Sequence, residues 1–127
     1  MPTTPAPGRP VRGSTTGRPI MAALDLLGRR WSLRILWELR DGSLGARALQ
    51  ARCDDMSSSV LYDRLGELVE AGLVAQDPGA DYGLTPLGRE LGKAIGPLDR
   101  WANRWSAALT PGRGPAKRVQ SGKKRGR

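Results

Sequence analysis

Residues 57–86 read SSSVLYDRLGELVEAGLVAQDPGADYGLTP, and a change of period inside this stretch decides the fold. Ser57 is a side-chain acceptor placed to cap a helix. Leu61, Leu65 and Leu68 then recur at four- and three-residue spacing, giving one apolar stripe that Ala71-Gly72 ends. From Leu73 the helical period is lost. Leu73-Val74-Ala75-Gln76 reads as a short extended segment and Tyr82-Gly83-Leu84 as its return. Between them Asp77-Pro78-Gly79-Ala80 predicts a tight turn, with Pro78 fixing φ and Gly79 supplying a positive φ. Thr85-Pro86 starts another helix, an N-cap followed by proline at the first helical position.

Upstream, Ile20, Ala23, Leu24 and Leu27 mark a first helix that Gly28 stops. Trp31, Ile35, Leu36 and Leu39 mark a second, ended by Asp41-Gly42. Ala48, Leu49 and Cys53 suggest a short third, from about Gly45 to Cys53. Downstream, a helix from Pro86 to about Leu109 carries Leu87, Leu91, Ile95, Leu98, Trp101 and Trp105 on roughly one side, and Pro97 is expected to kink it. Trp31 and Trp37 are expected in or near the core. The order α-α-α-α-β-β-α, mainly helical with a small hairpin, predicts a winged helix-turn-helix. In that fold helix 57–71 is placed to enter a DNA major groove and the hairpin flanks it.

Charge divides the chain into three blocks. Residues 1–19 carry three arginines and no acid, and residues 20–109 carry eleven Arg/Lys against twelve Asp/Glu. From 110 onward there are seven cations and no acid: Arg113, Lys117, Arg118, Lys123, Lys124, Arg125 and Arg127. The expected organisation is a folded domain over 20–109 between disordered basic tails, 1–19 and 110–127. Such tails grip polyanions without selectivity, through counterion release. Selectivity must then come from the near-neutral domain.

Composition narrows the function classes. One cysteine excludes an internal disulfide, and the absence of histidine removes the commonest metal ligand and general base. No metal cluster, cofactor motif or phosphate loop is present in the sequence, so no enzyme is expected. No apolar run reaches the ~18 residues of a membrane span, and the Pro/Thr/Gly-rich start lacks the apolar core of a signal peptide. A cytoplasmic protein is expected.

The candidate reading head follows from the helix. Ser57, Ser58, Ser59, Tyr62 and Asp63 occupy its first two turns, off the leucine stripe. Serine hydroxyls donate to phosphate or to any base edge, or serve only as caps. Tyr62 packs on a thymine methyl, bonds a phosphate, or lies against a neighbouring helix; Asp63 accepts from cytosine N4. Arg64 reaches phosphate or bridges to Asp54, Asp55 or Glu67, and both readings stand. Arg29 and Arg30 before the second helix, and Arg47 on the third, are candidate phosphate contacts. Trp101 and Trp105, four residues apart, make an apolar face that a domain of this size cannot cover itself, which suggests a second subunit. Gly88, Gly92 and Gly96 thin one side of the same helix, for close packing in a dimer or by simple tolerance.

From Arg18 to Ala107 the chain resembles the HxlR family of bacterial winged-helix regulators. Three segments carry the resemblance in order and at matching spacing: Ala23-Leu24-Asp25-Leu26-Leu27-Gly28 leading to Arg30-Trp31; Ser57 to Val74; and Leu84-Thr85-Pro86-Leu87-Gly88-Arg89-Glu90-Leu91. The resemblance implies a homodimeric regulator of double-stranded DNA that is cytoplasmic and nucleoid-associated. Its subunit contacts would come from the first and last helices, here Ile20, Leu24, Leu91, Ile95, Leu98, Trp101 and Trp105. Departures are specific. Arg18-Pro19 stands where many relatives carry a sensing cysteine and proline, Cys53 where they tend to have leucine, and Leu44-Gly45-Ala46 where they carry basic and aromatic residues. The wing holds Asp77 and Asp81 and no cation. The alternative is a low-specificity architectural DNA binder that acts through its tails; a protein-interaction module that has lost DNA contact is the remaining reading. No effector chemistry is legible.

Overall fold

The computed structural model describes residues 4–110. The expected basic tail with Arg113, Lys117, Arg118, Lys123, Lys124, Arg125 and Arg127 lies outside the described residues. The described elements are α1 (Pro19–Leu27), α2 (Ser32–Glu38), α3 (Ala46–Arg52), α4 (Ser58–Glu70), β1 (Val74–Gln76), β2 (Tyr82–Leu84) and α5 (Pro86–Ala108). This is the expected mainly helical order with one antiparallel hairpin. Compact packing divides the chain into a first unit through Gly92 and a second from Lys93 onward.

The core of the first unit collects the stripes that the spacing predicted. Leu26, Ile35, Leu36, Leu39, Leu49, Leu61, Leu65 and Leu68 are buried together with Cys53, Met56, Leu73 and Val74. Trp31 packs partly buried against this cluster. Trp37 is half-buried, with the Arg40 guanidinium stacked 3.9 Å from its ring centroid. Burying eight leucine- or isoleucine-sized side chains, at roughly 1.5–3 kcal/mol each, is what closes four short helices that would be marginal alone.

Caps and turns set the boundaries. Thr85 Oγ1 accepts from Gly88 N–H at 3.0 Å and donates to the Gly72 carbonyl at 2.6 Å, so one hydroxyl both caps α5 and ties it to the end of α4. A Cβ on Gly88 would run into the Leu73 carbonyl, so this glycine serves packing within the chain. Helix α5 is assigned without interruption through Pro97.

The hairpin pairs Val74 with Leu84 and Gln76 with Tyr82. Its turn differs from the expectation. Gly79 is not the residue with positive φ; Ala80 is, at φ 72. The Ala80 N–H closes the turn on the Asp77 carbonyl at 2.9 Å, and the Asp81 N–H donates to the Asp77 carboxylate at 3.0 Å. That is a four-residue turn whose last residue is left-handed, which shifts the strained position one place along.

The N-terminal segment is described from Thr4 onward. Its composition suggests disorder over 1–19, yet Thr4 and Pro5 are buried and the chain from Thr4 folds back on α1. Thr4 Oγ1 donates to Glu70 at 2.6 Å, Arg9 donates to the Thr4 carbonyl at 2.7 Å, and the Arg12 N–H donates to Asp25 at 3.1 Å. Val11 and Ser14 exchange backbone bonds at 2.9 and 3.0 Å. Local hydrogen bonds and one contact 66 residues distant in sequence hold what composition alone assigns to a linker.

Candidate nucleic-acid interface

Helix α4 is presented by the turn that precedes it. Asp54 and Asp55 both adopt left-handed backbone, φ 57 and φ 55, a conformation that aspartate tolerates better than most residues. Gln50 closes the turn twice: its carbonyl accepts from Asp55 N–H at 3.0 Å and its side-chain amide donates to the Met56 carbonyl at 2.7 Å. Met56 is driven into the core behind it. Arg34 braces the same turn from α2, reaching Asp54 at 3.3 Å and Glu38 at 3.0 Å. The Glu38 hydrogen bond holds the Arg34 guanidinium above its ordinary range. Neither Gln50 nor Arg34 was singled out by the sequence, because their use depends on where the chain turns.

Ser57 caps α4, its Oγ accepting from Val60 N–H at 3.2 Å. Its hydroxyl is thereby used locally and also lies 3.5 Å from that of Ser59. With Leu61, Leu65 and Leu68 facing the core, the opposite side of the helix carries Ser58, Ser59, Tyr62 and Asp63, all exposed. The side chains of Ser58, Tyr62 and Asp63 have no hydrogen bond or ion pair among the described residues. Gly66 continues this side, and a Cβ there would meet open space. The surface is narrow, weakly charged and rich in hydroxyl groups.

The arginines divide into two kinds. Arg64 donates through Nε to the Arg30 carbonyl at 2.9 Å and through Nη1 to Glu67 at 3.1 Å. Arg29 meets the other oxygen of Glu67 at 2.7 Å. These side chains are only about one-fifth exposed. Of the two readings of Arg64, the structure shows the bridge to Glu67, and it draws Arg29 into the same bridge. Together they fix α4 to the α1–α2 turn. Arg30 is exposed, 5.7 Å from the Trp31 ring centroid, and Arg47 is exposed on α3 with no partner among the described residues. Arg52 lies 4.0 Å from Glu38.

The wing has a third edge that was not foreseen. Leu44 and Tyr82 exchange backbone bonds at 2.9 and 2.8 Å, which attaches the segment before α3 to β2. Gly83 permits this, since a Cβ there would run into the Ser43 hydroxyl. Cys53 is fully buried, and burial pushes its thiol up from the ordinary range. It is a core side chain.

The expected subunit-contact residues differ in exposure. In the first unit Ile20 and Leu24 are more than half exposed, whereas Leu91 packs against the core of its own chain. In the second unit Trp101 and Trp105 stack on each other, ring centroids 5.5 Å apart and 10° from parallel, about half exposed beside exposed Leu98; Ile95 is half-buried. Among the described residues no group of three or more potential metal ligands occurs, and no helix is long and apolar enough to cross a membrane.

Comparison with known proteins agrees with this geometry. The HxlR-like helix-turn-helix family matches residues 26–110. The HTH-type transcriptional regulator YvaP of Bacillus subtilis (strain 168) is 33% identical over 89 residues, which cover 65% of this chain and 82% of YvaP. Rv3095 of Mycobacterium tuberculosis, also an HTH-type transcriptional regulator, is 36% identical over 101 residues, 73% of this chain and 60% of that protein. The structure of quinone-bound YodB from B. subtilis superposes with a TM-score of 0.63 at 28% identity, covering 68% of this chain and 96% of YodB. A helix-turn-helix with a hairpin wing, matched over two-thirds of its length, places this chain in the HxlR-like helix-turn-helix family of transcriptional regulators.

Proposed function

We propose that this chain acts as a homodimer that selects sites on duplex DNA by inserting α4 into the major groove. The observation that carries the reading is the division of α4 itself. One side is locked by the leucine stripe and the Glu67 bridge; the other leaves Ser58, Tyr62 and Asp63 without intramolecular use. A helix held rigidly with idle polar groups on its outer face is built to offer those groups to a partner. Hydroxyls and a single carboxylate on that face suit base edges, while Arg30 and Arg47 lie outside it as phosphate contacts that set register. Arg29 and Arg64 act as positioning residues. The wing, with Asp77 and Asp81, contributes no cation to the minor groove.

The exposed apolar side chains Ile20 and Leu24 in the first unit, and Leu98, Trp101 and Trp105 in the second, supply the subunit contact. A two-fold dimer sets its reading helices one turn of B-DNA apart, about 34–36 Å. Trp101→Ser with Trp105→Ser should then sediment as monomer; a stable dimer of the double variant removes these tryptophans from the interface. The seven cations beyond residue 110 add grip without selectivity. The groove-reading assignment is tested by Ser59→Ala with Tyr62→Ala, which should lower preference among duplexes while leaving random-DNA affinity within about threefold. Unchanged preference moves recognition to another surface.

A further inference from the structure

The N-terminal arm, α1 and the first turns of α5 surround an apolar cavity of about 520 Å³. Pro5, Ala22, Leu26, Leu73, Leu87 and Leu91 contribute to its walls. Of these Pro5, Ala22, Leu26 and Leu73 are buried side chains of the folded unit, so the chamber is preformed. Two carboxylates complete the lining, Glu70 on the last turn of α4 and Glu90 on α5, and no lysine or arginine among the described residues lines it. The Glu90 carboxylate has no hydrogen bond or ion pair among the described residues. Glu70 uses one oxygen to accept from Thr4.

This size falls within the range of small-molecule sites, roughly 300–1,000 Å³. The walls favour a hydrophobic body, whose transfer from water is worth about 25 cal/mol per Å². Among the described lining residues, these two carboxylates are the charged groups. A carboxylate at the rim of an apolar wall attracts a cation and repels an anion. We propose that this chamber is a binding site for a small amphipathic amine, an aromatic or aliphatic body ending in one ammonium group. Glu90 is its counter-ion, and the open oxygen of Glu70 is the second acceptor. The occupant would touch Glu70 and Ala71, at the far end of the helix that begins with Ser58, but binding itself does not depend on the DNA reading of α4.

The compounds 4-phenylbutylamine, 4-phenylbutanol and 4-phenylbutyrate share one apolar body and differ in charge. Titrated calorimetrically into the full-length chain, the amine should bind one molecule per chain and about tenfold tighter than the alcohol, equivalent to roughly 1.4 kcal/mol. The carboxylate should bind weakest. Glu90→Gln should bring the amine to about the affinity of the alcohol without changing Tm, because Glu90 is exposed and unpaired in the chain. Ala23→Phe, from a residue that lines the chamber, should abolish binding of amine and alcohol alike; Leu87→Trp does the same service from an exposed position if the first variant fails to fold. Equal affinity for amine and alcohol, an amine advantage that survives Glu90→Gln and Glu70→Gln, or undiminished binding to a filled chamber overturns the proposal. Absence of binding by all three compounds does so too, as does amine binding that appears only on dilution to monomer, which would make the chamber a contact between copies of the chain.

Discussion

Glu67 holds two guanidinium groups at 2.7 and 3.1 Å with a side chain only 16% exposed, and the orientation of α4 rests on it. Pairs this sheltered lie between surface bridges, worth under about 1 kcal/mol, and buried ones, which cost about 3–5 kcal/mol to break. Glu67→Ala should therefore lower unfolding free energy by about 1–3 kcal/mol in urea titration, and Arg64→Lys should cost about half of that, since an ammonium cannot serve the Arg30 carbonyl and Glu67 in the same fork geometry. A loss under a few tenths of a kcal/mol would show the bridge to be idle. Ala80, left-handed at φ 72, carries a Cβ penalty of about 1 kcal/mol that Ala80→Gly should recover as a higher urea midpoint. The buried Cys53 thiol should resist iodoacetamide in native protein and react at the rate of unfolding. Because burial raises its folded pKa above the unfolded value, its contribution to stability is intact at neutral pH and falls as pH rises past the ordinary thiol range near 8.5. Residue identities alone leave Arg64 open between phosphate and a bridge to Asp54, Asp55 or Glu67. The choice depends on how close the α1–α2 turn comes to α4, which no local pattern encodes.

The helices were legible because each one buries a stripe at helical spacing and ends at a recognisable stop. Ser57 and Thr85 were legible as caps for the same reason: a hydroxyl before an apolar run has a local task. The elements that escaped notice are those whose partners lie far along the chain. Leu44 joins β2 through a single bridge residue, too short to show alternation. The N-terminal arm has the composition of a linker, and only the Thr4 contact with Glu70 and the turn bonds beyond it betray its order. Gly66 offers a clean check on α4. Its Cβ position is open, so Gly66→Ala should raise helix stability by about 1 kcal/mol in thermal or urea unfolding. If the same variant also loses site preference, the face that includes Gly66 approaches DNA closely; if stability falls, α4 is packed differently from the arrangement described.

Taken together, the excess positive charge lies apart in sequence from the proposed reading helix. The outer face of α4 holds hydroxyls and one acid, the wing holds acids, and the seven cations beyond residue 110 have no acid among them. Chain segments of this kind should contribute salt-dependent affinity alone, each neutralised phosphate adding about 0.9 to the logarithmic salt slope. The candidate reading face was visible in the sequence as the complement of a leucine stripe. Which arginines remain available around it was not, since that required the ion pairs. Selection of genomic fragments at about 0.15 M salt, by the full-length chain and by its Ser59→Ala, Tyr62→Ala variant, separates recognition from grip. The wild-type chain should retrieve a discrete set of sites, bound about a thousandfold or more over random duplex, and the variant should bind DNA in bulk yet lose that set. Retrieval of the same sites by the variant, or of no preferred sites by the wild-type chain, contradicts recognition through α4.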